Sequence, residues 1–398
     1  MFSEIDELPP DAILGLTKLF ADDARAKKID LGVGVFRTAD NKTPVLASVK
    51  AAEALVMQAE TTKVYTPPEG APGFAPGIVS LLFGDKHDAL ASGRVAAIQT
   101  PGGCGALRVG GELLKRMNAR AIHVGEPTWA NHEPLLSAAG HKIRLIPYYD
   151  SATSTVRFDA FLAEVEKLGP GDVLLLHGAC HNPTGADLTP EQIDMVIDVA
   201  ERRKFLPFVD MAYHGFAEGL EEDAYIVREI ARRLPEALVS YSCSKNFGLY
   251  RERTGALIMI GENAKSAAAA RSHAVNVARG IYSMPPAHGG AIVAEILQSP
   301  ALFAQWREEA ATMRRAIKAS RKLLVNTSAE MQMGDRLAYI EDQNGMFSLL
   351  PLNKEQVLAM REKHGVYIVG AGRINLCGVN VGNIGHLCEA LRDVMGAA

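Results

Sequence analysis

Short apolar runs rich in β-branched residues alternate with segments of helical length between residues 95 and 300. A run that is apolar throughout is typical of a strand buried on both faces, as in a mostly parallel sheet covered by helices. Between two of these runs, Thr189–Lys204 is predicted to be a helix, with Thr189 as N-cap, Pro190 at its first position and Gln192 completing a capping box. The alternation predicts a doubly wound α/β domain. Its predicted strands are Val95–Gln99, Ala121–Gly125, Lys142–Pro147, Val173–His177, Leu206–Asp210, Leu238–Ser242 and Ala256–Ile260.

The pattern changes after residue 300. A long helix is predicted over Ala301–Leu324, followed by weaker strands and two further helices. We expect this part to form a smaller α+β domain that the N-terminal segment completes, with boundaries at 1–43, 44–312 and 313–398. The predicted strands here are Ala338–Glu341, Met346–Leu349, Val366–Val369 and Arg373–Leu376, and the predicted helices are Lys354–Lys363 and Asn383–Val394.

Composition excludes several classes of protein. The 42 basic and 46 acidic residues nearly balance, which argues against nucleic acid or an anionic membrane as the main partner. The opening MFSEIDELPPDAILGL is acidic and interrupted by prolines, so no signal peptide is expected, and the longest apolar runs are too short to span a bilayer. The five cysteines are scattered without metal-type spacing, which predicts reduced thiols, no metal site and a cytoplasmic location.

Lys245 follows directly after a predicted buried strand. An unpaired ammonium group is costly to bury, so a lysine at this position needs an explanation. One explanation is structural, because the long side chain can extend to the surface. The other is chemical, because a lysine amine can form a Schiff base with an aldehyde cofactor. The ends of the neighbouring strands decide between the two.

Asp210 ends an equally apolar strand, and Tyr213 follows three residues later. A buried carboxylate needs a cationic partner, and a protonated pyridine nitrogen would supply one while making that ring a better electron sink. Tyr213 and Asn182, the latter in the turn Asn-Pro-Thr-Gly after another strand, could donate to a phenolate oxygen on the same ring. Strand-end packing and ordinary turn chemistry are the structural alternatives.

A glycine-rich turn, Thr100–Gly105, connects a strand to the predicted helix Ala106–Met117. Backbone N–H groups at a helix N-terminus can bind a phosphate, and Ser242 and Arg253 could add a hydroxyl and a guanidinium. Each of these signals is weak alone. All of them fall at the carboxyl ends of strands in one sheet, where open α/β sheets bind ligands, so together they predict a single site.

The motifs TPGGCGALR, HGACHNPTG, VDMAYHGF, SCSKNFGLYRERTG and YSMPPAHG together resemble class I aminotransferases of pyridoxal 5′-phosphate (PLP) fold type I. Within that family they are most similar to the aspartate and aromatic amino-acid aminotransferases. The resemblance extends from GLTKLFADDARAKKIDLGVGVF to VYIVGAGRINLCG and so covers essentially the whole chain. It implies a large domain with a mostly parallel seven-stranded sheet and a smaller α+β domain built from both termini.

The resemblance also implies a role for each site residue. Lys245 would hold PLP covalently and later carry the proton between the substrate Cα and the cofactor C4′. Asp210 would pair with the pyridine nitrogen, with His132 behind it, and Trp129 would stack on the ring. The expected catalytic groups are Lys245, Asp210, Tyr213 and Trp129. The remaining implied cofactor contacts are Asn182, Gly103, Cys104, Ser242 and Arg253, with Tyr65 reaching the phosphate from the second subunit.

For the substrate, the resemblance implies that Arg373 binds the α-carboxylate, with Gly34, Trp129 and Asn182 beside it. Arg279 would cross the dimer interface to a side-chain carboxylate, so a homodimer with shared active sites is expected. Outside this context, Trp129 is more typical of a core residue than of a cofactor contact, and His132 is more typical of a satisfied loop histidine. The structural alternative for Arg373 and Arg279 is a solvated cation.

Four positions depart from the family pattern. Cys104 stands where relatives usually carry Ser or Thr, and because a thiol is a weak donor we expect slightly weaker PLP retention. Val64 and Met284 occupy positions where aspartate-selective relatives often carry Asn, and a less polar pocket favours aromatic side chains. Cys243 replaces an aromatic residue common in relatives, and no functional conclusion follows from it.

The expected activity is ping-pong transamination, through pyridoxamine phosphate, between an aromatic or acidic amino acid and a 2-oxo acid. A strictly aspartate-selective enzyme is the main alternative. Decarboxylation or β-elimination fits the two arginines less well, because no group is oriented for loss of a carboxylate. A PLP-binding regulator would need a basic helix-turn-helix pattern, and neither end of the chain has one. A purely structural role gives no reason for Lys, Asp and Arg at successive strand ends.

Overall fold

The computed structural model describes residues 2–8 and 12–396. The strands are β1 Ile29–Asp30, β2 Val95–Pro101, β3 Ala121–Glu126, β4 Ile143–Pro147, β5 Tyr149–Asp150, β6 Thr155–Val156, β7 Asp172–His177, β8 Leu206–Met211, β9 Ala237–Ser242, β10 Thr254–Ile260, β11 Phe347–Leu349, β12 Val366–Tyr367 and β13 Arg373–Asn375. The helices are α1 Ala12–Asp22, α2 Ala47–Ala59, α3 Phe74–Phe83, α4 Asp88–Ala91, α5 Gly102–Arg116, α6 His132–Ala138, α7 Phe158–Val165, α8 Pro190–Arg203, α9 Leu220–Asp223, α10 Tyr225–Arg233, α11 Ala264–Ile281, α12 Ala287–Gln298, α13 Pro300–Glu330, α14 Tyr339–Asp342, α15 Lys354–His364 and α16 Ile384–Met395.

Within the described residues, a seven-stranded sheet has the order β2-β10-β9-β8-β7-β3-β4, which we call the large sheet. Its neighbours pair in parallel except β10, which is antiparallel to both β2 and β9. The predicted strands of this sheet are confirmed, with ends shifted by a residue or two. Because β10 runs in the opposite direction, its first residue, Thr254, lies beside Pro101 at the end of β2. Arg253 therefore reaches the edge at which the parallel strands end.

Both faces of the large sheet are covered. Along β8, Phe208 belongs to one buried cluster and Val209 to another, and Leu238 and Val239 alternate in the same way along β9. Successive strand residues point to opposite faces, so the two clusters occupy the two sides of the sheet. Burial on both faces explains why these strands are apolar throughout rather than alternating.

The predicted helix signals at residues 189–204 are confirmed. Thr189 caps α8, and its side chain and that of Gln192 each accept a hydrogen bond from the other's backbone N–H. The helix α5 differs from its prediction, since it begins at Gly102 rather than at Ala106. The glycine-rich segment is thus the first turn of the helix and not a turn before it.

A second buried core forms from both ends of the chain. Ile29 and Leu31 pack in it with residues from 324 to 391, and β1 pairs with β12 in parallel. The long helix α13 connects the two cores, because Ile317 belongs to the first and Leu324 to the second. A boundary between 312 and 313 falls inside this helix, and the domain limits 1–43, 44–312 and 313–398 stay predictions.

The strand predicted at Ala338–Glu341 is wrong, since the segment contains helix α14. Its backbone bonds are local, including Ile340 N–H to the Leu337 carbonyl and Glu341 N–H to the Ala338 carbonyl, and Ile340 fills the second core. The helix α13 also extends six residues beyond its predicted end at Leu324, because packing outweighs the weak helix propensity of the Val-Asn-Thr stretch that follows. No helix within residues 2–8 and 12–396 is both long and apolar enough to cross a membrane.

Candidate active site

A cavity of about 160 Å³ lies at the carboxyl edge of the large sheet. Most of the residues predicted to bind a cofactor line it. These predicted residues are Gly103, Cys104, Trp129, Asn182, Asp210, Tyr213, Ser242, Lys245 and Arg253. The structure therefore brings together, from six separate segments of the chain, groups whose signals were weak one at a time.

Lys245 points its amine into this region. Its Nζ donates to the backbone carbonyl of Gly34 at 2.7 Å and lies 4.9 Å from the ring centre of Tyr250. Burial, together with the nearby guanidinium groups of Arg253 and Arg373, lowers the pKa of Lys245 to about 8. A large fraction of this amine is neutral in mildly alkaline solution, which is the form that attacks an aldehyde.

The Asp210 carboxylate lines the same cavity. Its Oδ2 lies 3.2 Å from Nε2 of His132, and both side chains are buried. Thr128 Oγ1 connects His132 Nδ1, at 2.8 Å, to His177 Nε2, at 3.1 Å. His177 was missed by the sequence analysis although it lines the cavity. The feature that could have identified His177 from the sequence is its position at the end of β7, directly opposite Asp210 on β8.

Asn182 and Tyr213 meet on one side of the cavity. The Asn182 amide donates to the Tyr213 hydroxyl at 3.5 Å, and burial raises the pKa of Tyr213, so its hydroxyl keeps its proton. The loop before Asn182 is fixed by Asp187, whose carboxylate accepts the backbone N–H groups of Cys180 and His181 at 2.9 and 2.8 Å. The two donors thus face the cavity from a rigid loop and a strand end.

The opposite end of the cavity is suited to an anion. Gly103 and Cys104 lie in the first turn of α5, where backbone N–H groups have no partner within the helix. Arg253 bonds Ser244 Oγ at 3.2 Å, and a Cβ on Gly102 would lie 2.8 Å from the Arg253 guanidinium. Only glycine at 102, with its positive φ of 69°, allows this approach. Ser244 was missed beside the predicted Ser242, which also lines the cavity.

Arg373 is buried next to these groups. Its Nη2 donates to the Gly32 carbonyl at 2.9 Å, and its Nη1 lies 3.4 Å from Asn182 Oδ1. The guanidinium lies 4.4 Å from the ring centre of Phe347, which the sequence analysis missed. Its Nε is buried and has no hydrogen-bond partner among the described residues. A buried unpaired donor is costly, so this arginine is prepared for an acceptor that a substrate carboxylate would supply.

Tyr65 and Arg279 do not reach the cavity of their own chain. The Tyr65 side chain is 84% exposed, and that of the neighbouring Val64 is 77% exposed. Arg279 is also exposed, and its Nη1 contacts Ser283 Oγ and, at 3.3 Å, Met284 Sδ. Their predicted contacts with cofactor and substrate require a second subunit and stay predictions.

Comparison with known proteins identifies the family. The sequence model for aminotransferase class I and II matches residues 26–391. The chain belongs to the class I and II aminotransferases. It is 44% identical to the aromatic-amino-acid aminotransferase of Pseudomonas aeruginosa, over 99% of this chain and 98% of the relative, and 43% identical to the aspartate aminotransferase of Escherichia coli, over 99% and 100%. An aromatic-amino-acid aminotransferase from Burkholderia pseudomallei, covalently bound to pyridoxal phosphate, superimposes over the whole of both chains with a TM-score of 0.97 at 40% identity.

The predicted family, fold class and enzyme class of this aminotransferase are therefore confirmed. Its cavity also fits PLP chemically. Backbone N–H groups, Ser242 and Arg253 can hold a phosphate, Lys245 can bond an aldehyde, and the buried Asp210 carboxylate can pair with a pyridinium nitrogen. Asn182 and Tyr213 line the same cavity and can donate to a phenolate oxygen.

The lowered pKa of Lys245 predicts a pH dependence for PLP attachment to the PLP-free protein. Because only the neutral amine reacts, the attachment rate should rise about tenfold per pH unit below pH 8 and level off above it, whereas an unperturbed lysine would keep gaining until above pH 10. Stopped-flow absorbance after mixing with PLP measures this rate. Pyridoxal, which lacks the titrating phosphate, is the control ligand. A rate that still climbs tenfold between pH 9 and 10 would contradict the prediction.

Cys104 provides a second test. Burial raises the pKa of its thiol, so the group stays neutral beside the anion end of the cavity. Cys104→Ser should bind PLP about two- to fivefold more tightly, because a hydroxyl is the stronger donor. Titration of the PLP-free protein with PLP gives the dissociation constants. Cys104→Ala, which removes the thiol without adding a hydroxyl, is the matched control. A serine variant that binds no more tightly than the parent would show the prediction to be wrong.

Proposed function

We propose that this aminotransferase uses PLP to transfer amino groups between acidic or aromatic amino acids and 2-oxo acids. One observation carries the proposal: Lys245 and Asp210 line a single cavity, and Arg373 contacts Asn182 in its wall, although the three residues come from distant parts of the chain. The printed names of its relatives include aspartate, tyrosine and aromatic-amino-acid aminotransferases, which supports both substrate classes. When bound, PLP supplies an electron-accepting ring that acidifies the substrate Cα–H.

Lys245 is the group that moves the proton. With PLP and substrate bound, its Nζ would remove the proton from the substrate Cα and return a proton to the cofactor carbon. Its pKa of about 8 makes the neutral base accessible near neutral pH without making it too weak to accept a proton. The Asp210 carboxylate, whose Oδ2 lies 3.2 Å from His132 Nε2, would pair with the pyridine nitrogen of PLP and so favour the protonated ring.

Arg373 binds the α-carboxylate that all these substrates share. The guanidinium is planar and can form two parallel bonds to a carboxylate, which fixes the Cα next to Lys245. Burial lowers the pKa of Arg373, which means that its charge is poorly solvated before substrate arrives. A carboxylate therefore gains more from this partner than from an exposed arginine. Arg373 belongs to the predicted small domain and Lys245 to the predicted large domain, and we place the substrate between these two domains.

Arg279 and its neighbours carry the proposed side-chain specificity. A dicarboxylate substrate would pair with Arg279, whereas an aromatic substrate would leave that charge facing an apolar ring. Arg279 contacts Ser283 and Met284 of its own chain, so it has a position outside that chain's cavity available to it. With apolar Val64 and Met284 nearby, we propose that both substrate classes are accepted. The alternative is an enzyme restricted to aspartate and its partners.

We further propose a homodimer with two shared active sites. The exposed Val64, Tyr65 and Arg279 support it, because large apolar and charged groups predicted to contact ligand do not contact the cavity of their own chain. A two-fold interface would complete both sites at once. The cytoplasmic location predicted from the reduced cysteines is proposed with it.

Single-turnover reactions test the substrate proposal. PLP-loaded protein mixed separately with aspartate and with phenylalanine should convert the absorbance of bound PLP to that of pyridoxamine phosphate at comparable rates. Arg279→Leu should slow the aspartate reaction on the order of 100-fold, because it leaves the side-chain carboxylate unpaired, and change the phenylalanine reaction only a few-fold. Conversion with aspartate alone would favour the aspartate-selective alternative. Conversion with neither would contradict the proposed function.

Hybrid dimers test the shared site. A hybrid dimer contains one Lys245→Ala chain and one Arg279→Leu chain. If each active site takes Lys245 from one subunit and Arg279 from the other, one of the two sites in each hybrid has both residues. A mixture of the two chains should therefore recover up to about a quarter of the parental aspartate activity after subunits are exchanged at equal amounts. The two homodimers, mixed without exchange, are the control. Absence of recovery in verified hybrids would show that Arg279 serves its own chain.

A further inference from the structure

Arg321 is a fully buried arginine that the proposed chemistry does not use. It lies on α13 between Ile317 and Leu324, where that helix passes from the first core to the second. Burial lowers its pKa to about 10, so it keeps its charge at neutral pH. A buried guanidinium is tolerated only when its donors have acceptors. The acceptors of Arg321 therefore show which part of the chain it fixes.

The acceptors of Arg321 all belong to one segment, residues 340–348. They are the carbonyl oxygens of Ile340 at 2.9 Å, Asn344 at 2.8 Å, Gly345 at 2.7 Å and Phe347 at 2.7 Å, and Ser348 Oγ at 2.8 Å. The guanidinium Nε donates as well, to the Gly345 carbonyl at 3.1 Å. One planar group with fixed donor directions thus sets the path of the segment over nine residues.

This segment leads directly to the substrate arginine. Its end forms β11, in which Leu349 pairs with Arg373 on β13. Its Phe347 ring lies under the Arg373 guanidinium and edge-on to Tyr213, with ring centres 6.1 Å apart. A Cβ on Gly34 would lie 2.9 Å from Phe347 Cζ, so the ring also has little freedom towards the N-terminal segment. A shift of residues 340–348 would therefore move the surface on which Arg373 rests.

The segment is equally tight against the loop that carries Asn182. The Asn344 N–H donates to the Gly185 carbonyl at 2.8 Å, and a Cβ on Gly185 would lie 2.5 Å from the Phe347 carbonyl. A Cβ on Gly345 would lie 2.3 Å from the Cβ of Cys180. Residues 340–348 thus have no room to move towards this loop, and Arg321, whose Nη2 would lie 3.1 Å from the same added Cβ on Gly185, bonds them where they meet the loop.

We propose that Arg321 is a positioning residue that aligns Arg373 for the substrate α-carboxylate by holding residues 340–348. The inference rests on the proposed role of Arg373. It assigns Arg321 to substrate binding and not to cofactor binding, since the phosphate and pyridine ends of the cavity belong to α5 and the large sheet. Lysine cannot replace it fully, because an ammonium group has three donors and no fixed plane.

The test measures binding of maleate, a dicarboxylate with no amino or oxo group to react, to the PLP-loaded protein by calorimetry. Arg321→Met should raise the maleate dissociation constant about tenfold or more, and Arg321→Lys less, because small misalignments of a bidentate pair weaken it strongly. PLP affinity should change less than about twofold in both. In turnover, KM for aspartate should rise while kcat changes less than about threefold.

A general loss of stability needs its own control. Met313→Ala removes buried volume from the same helix, two turns before Arg321 and about 12 Å along the axis. It should lower the melting temperature without changing maleate binding. If its maleate dissociation constant also rose, loss of stability alone would explain the effect of the Arg321 variants. Should Arg321→Met fail to fold, Ser348→Ala removes one acceptor and is expected to weaken maleate binding about two- to threefold.

Arg373→Lys separates this inference from the proposed function. If Arg373→Lys weakens maleate binding and the folded Arg321 and Ser348 variants do not, Arg321 is not a positioning residue and the proposed function stands. If Arg373→Lys binds maleate as the parent does, the role of Arg373 is wrong and the inference falls with it. Weakening in both, with PLP affinity retained, is the expected result.

Discussion

The parallel register of β7, β8 and β9 is the constraint on which the site depends. His177 at the end of β7 lies opposite Asp210 on β8, and Asp210 lies opposite Ser240 on β9, shortly before Lys245. Strands that end together place the residues that follow them at one edge, in the gap that their connections leave open. The antiparallel β10 adds Arg253 to the same edge because it starts where its neighbours end. The ends of β7, β8 and β9 and the start of β10 thus supply groups to one cavity.

The burial of the polar groups at this edge gives them their chemistry. Burial lowers the pKa of Lys245 and of Arg373 and raises that of Tyr213, in each case against the charged form. An amine that is easily deprotonated, a guanidinium whose Nε has no partner among the described residues and a hydroxyl that keeps its proton are suited to an anionic cofactor and an anionic substrate. The core that stabilises the fold therefore also sets the reactivity of the site.

The two ends of the chain contribute differently from the large sheet. The Gly34 carbonyl accepts a hydrogen bond from the Lys245 amine, and the Gly32 carbonyl accepts one from Arg373. The N-terminal segment therefore lies between the cofactor and substrate groups. Arg321 holds the segment that carries Phe347 beneath Arg373. The substrate side of the cavity is thus built on short strands and buried polar contacts, whereas its cofactor side is built on a continuous sheet.

The sequence by itself determined the large sheet and most of the cofactor side of the site. Strands buried on both faces carry an uninterrupted apolar signal, and polar residues at their ends, such as Lys245 and Asp210, are conspicuous for that reason. The tertiary structure alone decided the rest. The segment at 338–341 is helical because Ile340 is needed in the second core, and local alternation could not reveal that. The roles of His177, Phe347 and Arg321 follow only from partners 24 to 49 residues away, because these contacts depend on packing between elements and not on any local pattern.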